Sequence, residues 1–126
     1  MLVFCFRSAQ GVSAQESAAV PVHPVGDAYV RDWLVLGPFP SEDRDTDFLA
    51  NAGGEGSVHP TEGGSVELPG GTRGVWQRLR TDDEFVNLPG LFGNGKSQVG
   101  YAYCELTAVA ACETEILLWA DHSAAL

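Results

Sequence analysis

Asp32-Trp33-Leu34-Val35-Leu36-Gly37-Pro38-Phe39-Pro40 is the stretch on which the fold turns. Trp33 to Gly37 is almost wholly apolar and β-prone, and Pro38 and Pro40 cannot donate to a ladder, so the run predicts a short core strand that stops abruptly. The strand extends back to Tyr29. Tyr29, Arg31, Trp33, Val35 and Gly37 fall on one face and Val30, Asp32, Leu34 and Leu36 on the other, so its start is half-exposed and its end is buried on both sides.

Downstream, Gly100 to Ala108 alternates as a second strand. Tyr101, Tyr103, Glu105 and Thr107 form a half-polar face, and Ala102, Cys104, Leu106 and Ala108 a small-residue core face. Val75 to Arg80 is a strand of alternating character, and Thr114 to Ala120, apolar on both faces around Ile116, Leu117 and Leu118, predicts a central strand in which Trp119 adds to the core. Phe85-Val86-Asn87-Leu88 leads into a Gly- and Asn-rich turn at residues 89–96. Between the first strand and Val75, Ser41 to Gly74 is punctuated by paired glycines and by Pro60 and Pro69. It predicts a long loop with one helical turn near Asp47 to Asn51, and a loop of that length inside a domain is more often functional than idle.

At the N-terminus, the apolar run Leu2 to Phe6 and the small-residue exit Val12-Ser13-Ala14 have the pattern of a partial export signal over residues 1–14, and a disordered tail is the alternative. Residues 15–28, rich in Ala, Val and Pro, read as an extended linker, and residues 29–126 as one domain with a modest core. At the other end, Asp121-His122-Ser123 predicts a hairpin turn whose return strand, Ala124-Ala125-Leu126, is cut short, so the chain reads as a fragment of a larger module. After the first few residues no apolar run approaches the ~20 residues of a membrane-spanning helix.

The chain carries 17 acidic and 7 basic residues, a net charge of −10, with its basic residues dispersed apart from Arg78 and Arg80. Nucleic acid and anionic membrane are therefore poor partners, since both demand a basic patch. Of the three cysteines, Cys5 would leave with the signal. Cys104 and Cys112 are expected as unpaired, largely buried thiols, with a disulfide as the alternative in an oxidising compartment.

Taken together, several stretches resemble the all-β, antiparallel galactose-binding-like sandwich (jelly-roll) modules of large exported bacterial proteins. They are Trp33-Leu34-Val35-Leu36-Gly37-Pro38-Phe39, Asp45-Thr46-Asp47-Phe48-Leu49, Val75-Trp76, Phe85 to Leu88 with Leu91-Phe92-Gly93, Val99 to Tyr103, and Ile116 to Leu118. The resemblance implies a non-catalytic accessory module, secreted or held in the cell envelope, in which the turn after the last strand holds Asp121. Its partners would be downstream domains of the same protein and a polysaccharide. Two other functions stay open: the N-terminal piece of a secreted hydrolase whose catalytic domain lies downstream, and a structural cell-surface interaction domain.

Candidate chemistry is sparse. Asp43, Asp45 and Asp47 alternate like the start of a calcium loop, but Phe48 and Gly54 occupy the positions where the EF-hand pattern needs Gly and Glu. A calcium site of another kind, built from Asp45, Asp47 and loop carbonyls, stays open beside the blander reading of solvated turn carboxylates. His23, His59 and His122 stand alone, without zinc-ligand spacing, and no nucleophile elbow or phosphate-binding loop occurs. Sugar recognition needs an aromatic ring that stacks and polar groups on adjacent loops. Trp76, Tyr101 and Tyr103 are the candidates, with core packing as the ordinary role of a strand aromatic.

Overall fold

A computed structural model describes residues 2–10, 20–26, 29–40, 46–93, 98–117 and 124–125, the side chains of residues 2–10, 40, 88–89 and 124–125 excepted. The architecture is all-β with little helix. Eight strands, β1 (Leu2–Gln10), β2 (Val22–Pro24), β3 (Asp32–Pro40), β4 (Ser65–Glu67), β5 (Arg73–Val75), β6 (Gln77–Arg80), β7 (Gln98–Ala108) and β8 (Ala124–Ala125), are joined by one short helix, α1 (Leu88–Phe92), and a 3-10 turn, Ala50–Ala52. Six of the strands form one sheet in the order β6-β3-β7-β1-β8, with β2 also paired to β7, and β4 and β5 form a separate hairpin.

The sheet is mixed, where an antiparallel one was expected. β3 runs antiparallel to both β6 and β7, whereas β1 and β2 pair with β7 in parallel and β8 pairs in parallel with β1. Leu2–Gln10, expected as an export signal, lies along β7 from Gly100 to Ala108. β2 falls in the stretch expected as a linker, and Val22 to Pro24 pairs with Glu105 to Thr107 beyond the end of β3.

β3 does not stop at its prolines. The register with β7 shifts between Leu36 and Phe39, a bulge that spends the two residues least able to keep a regular ladder, Gly37 and Pro38. The bulge also re-phases the strand. Leu34 and Leu36 share one face with Tyr101 and Tyr103, and after the shift Phe39 joins that face opposite Val99. Without the extra residue Phe39 would point to the other side.

Both sides of β3 and β7 are therefore packed, as the double apolar pattern of Leu34 to Leu36 predicts. On one face, Leu34, Leu36, Phe39, Val99, Tyr101 and Tyr103 are covered by Leu49, by Val66 and Leu68 of the β4–β5 region and by Trp76. The Phe39 and Phe48 rings stack with centroids 4.7 Å apart. The hairpin lies so close that a side chain on Gly74 would meet Leu36 Cδ1 at 2.8 Å. On the other face, Trp33, Val35, Ala102 and Cys104 pack against Val30, Leu79, Val86, Leu91 and Leu106. The small residues of β7 on that side let α1 approach, and the Phe92 ring fills the space over Gly37 and Gly100.

The helix stands where a turn was expected, and its cause is local. Asn87 caps it, its Oδ1 accepting the Gly90 N–H at 3.0 Å and its carbonyl the Leu91 N–H at 3.0 Å, while Pro89 occupies the first turn, where a missing N–H costs nothing. At the other end of the chain the expectation of a central strand fails. Thr114 to Leu117 carries no strand and is exposed, Leu117 by 84%. Residues 118–120, with Trp119, lie outside the described residues, and β8 pairs with β1 in place of a hairpin return.

Candidate functional site

Of the residues singled out for ligand binding, three are core side chains. Trp76 is 2% exposed, Tyr101 0% and Tyr103 3%, so none offers a ring face to a sugar. Each has a structural task. Trp76 sits between β5 and β6, its N–H donating to the Gly64 carbonyl and its own carbonyl accepting from Gly63. The Tyr101 hydroxyl accepts the Phe48 N–H at 3.0 Å, and burial pushes its ionisation well above the usual tyrosine range. The Tyr103 hydroxyl donates to Glu105 Oε1 at 3.1 Å.

Asp45 and Asp121 lie outside the described residues. Asp47 serves its own turn, its Oδ1 accepting the Leu49 N–H at 2.8 Å, the local bond that makes Asp favourable in such positions. Among the described residues no group of three or more His, Cys, Asp and Glu side chains is arranged to hold a metal ion. Cys104 and Cys112 are free thiols. Cys104 is buried as expected and Cys112 is exposed. Burial, reinforced by the charge of Glu105, pushes the Cys104 thiol up to about 12, which leaves it inert as a nucleophile.

The principal charged cluster joins β3 to β6. Asp32 takes a bidentate pair from Arg78, Nε to Oδ1 at 2.9 Å and Nη2 to Oδ2 at 2.6 Å, with Arg80 Nε at 3.3 Å from Oδ2. The hydrogen bond from Arg78, aided by the charges of Arg78 and Arg80, holds the Asp32 carboxyl below its ordinary value against the opposing effect of partial burial. His23 Nε2 lies 2.8 Å from the Asp32 carbonyl oxygen, tying β2 to the start of β3, and Glu62 approaches Arg78 at 3.6 Å. With both guanidinium groups spent on one carboxylate, this cluster fastens an edge strand and leaves no vacant cation for an anionic ligand.

An open cleft of about 320 Å³ lies on the other side of β6. Leu79, Thr81, Asp82, Asp83, Phe85, Asn87, Gly90 and Leu91 line it. Its geometry follows from the chain leaving β6. The Thr81 N–H donates to the Arg31 carbonyl and the Thr81 hydroxyl to the Asp83 carbonyl, so the strand end is pinned while Asp82 to Phe85 bends outward before Asn87 starts α1. The outcome is a ring, Phe85, that is 60% exposed on a loop beside two carboxylates and an amide. In sequence Asp82 and Asp83 read as a turn and Phe85 as the start of a segment leading into the Gly- and Asn-rich turn. The signal that could have found them is a large aromatic directly after an acidic turn.

Compared with known proteins, the chain matches no family model, no curated protein and no solved structure. No helix among the described residues is long and apolar enough to cross a membrane.

Proposed function

We propose that the chain is a carbohydrate-directed, non-catalytic accessory module of an exported multidomain protein, built on the plan of a galactose-binding-like jelly-roll sandwich. The observation that carries the carbohydrate reading is the cleft beside β6. An exposed aromatic ring on a loop, with Asp82, Asp83 and Asn87 at the same opening, combines the apolar platform and the hydrogen-bonding groups that a sugar ring requires. The sandwich plan draws support from the all-β build and from apolar packing on both faces of β3 and β7. The jelly-roll arrangement is tested by a crystal structure of the chain. A second sheet facing the β4–β5 hairpin side supports it, and a lone mixed sheet removes it.

Affinity electrophoresis of the full chain through gels containing different polysaccharides tests the binding. Retardation by at least one of them, lost on Phe85→Ala, is the expected result, and free migration through all of them removes the carbohydrate reading. The export reading rests on the apolar run Leu2 to Phe6 with its small-residue exit and is tested separately. A reporter fused behind residues 1–14 is expected outside the cytoplasm, and a reporter that stays inside removes export through this segment.

A further inference from the structure

We propose that the cleft between the end of β6 and α1 selects sugars that carry a protonated amine, glucosamine-type units being the simplest, a proposal that rests on the carbohydrate-directed reading above. Three observations on this cleft converge on such an occupant. Its apolar part, Leu79, Leu91 and the exposed Phe85 ring, suits the C–H face of a pyranose. Its polar part is acceptor-rich. Asp82 and Asp83 are exposed carboxylates, no described cation pairs with either, and the Asn87 oxygen is already committed to the Gly90 N–H.

Charge complementarity decides the class. Neutral sugars could supply hydroxyl donors to these carboxylates, but only an ammonium-bearing sugar adds a charge-assisted hydrogen bond, which is roughly twice as strong as a neutral one. Uronic acids and sulfated sugars meet two carboxylates in a protein of net charge −10, with Arg78 and Arg80 on the opposite face already bound to Asp32. A volume of about 320 Å³ lies at the small end of the ligand-sized range, room for one sugar unit.

Calorimetric titration of the full chain with a glucosamine tetramer, its N-acetylated counterpart and a neutral galactan tests the proposal. The glucosamine tetramer is expected to bind about tenfold or more tightly than the N-acetylated one. That preference should be lost in the double variant D82N/D83N and weakened by raised salt, since the carboxylates are exposed. Phe85→Ala should weaken every saccharide that binds, with unchanged circular dichroism confirming the fold. Equal affinity for the amine-bearing and N-acetylated tetramers, or a preference that survives D82N/D83N, overturns the amine proposal and leaves the carbohydrate reading standing. Binding of none of the three, together with free migration through every polysaccharide gel, removes both.

Discussion

Replacing Tyr101 by Phe isolates one oxygen atom at the centre of the structure. The ring is completely buried, 5.9 Å from Phe39 between centroids, and would keep its packing. What disappears is the acceptor for the Phe48 N–H, the bond that fastens the residue 46–54 turn onto β7. Losing a neutral hydrogen bond costs ~0.5–1.5 kcal/mol, and stranding a buried partner costs ~1–3 kcal/mol. Phe48 is only half-buried, so water can reach part of its surroundings and the expected loss is about 1–2 kcal/mol. For a domain of this size that lowers the melting temperature by roughly 4–10 °C. Calorimetric melting gives the global figure, and hydrogen exchange at the Phe48 amide gives the local one, which should rise. A Tyr101→Phe variant that melts within about 0.3 kcal/mol of the parent, or whose Phe48 amide exchanges no faster, would refute the assignment of this hydroxyl as the anchor of the turn.

Three other perturbations probe different parts of the molecule. The folded-state pKa of Cys104 is raised from 9.0 to about 12, so its contribution to stability is full below pH 9 and is lost as pH climbs toward 12; Cys104→Ala should flatten that alkaline limb in denaturant titrations taken across pH. For Asp32 the folded pKa is lowered, so its contribution is full above the ordinary 3.8 and is lost as pH falls through the folded value. Asp32→Asn should cost about 1 kcal/mol at neutral pH after allowance for its partial exposure and should shallow the acid limb of the same titrations. Gly100→Ala would place a Cβ 2.7 Å from Phe92 Cε2 and is expected to cost ~1–3 kcal/mol in thermal melts, with Phe92→Ala in the same chain relieving the clash.

β3 was legible from sequence because a strand buried on both faces leaves a continuous apolar run, Leu34 to Leu36, and β7 because Gly100 to Ala108 alternates between a half-polar and a small-residue face. The same reasoning failed at Thr114 to Leu117. Ile116 and Leu117 are exposed there, since pattern states how a segment could pack and not which neighbour it meets. The pairing of Leu2 to Gln10 with β7 was not legible, because the partner lies nearly the whole chain away and parallel pairing leaves no turn signal to reveal it. α1 was hidden because its cap and its proline sit among glycines that also spell a turn. Aromatic candidates were chosen on residue type, and Trp76, Tyr101 and Tyr103 are in strands or beside them because they pack well. One ring that does face solvent, Phe85, is there because Thr81 fixes the chain at the end of β6 and the next four residues must leave the sheet.

The central place of β7 has a temporal meaning. A ribosome releases Leu2–Gln10 and Asp32–Pro40 long before Gln98–Ala108, the strand on which both depend for pairing, and only β6 is made early enough to meet β3 beforehand. Until β7 emerges, the nascent chain thus carries β1 without its sheet partner and β3 with only the short β6 beside it. Closure of the sheet must wait for β7, so its pairings are non-local, a topology that folds slowly.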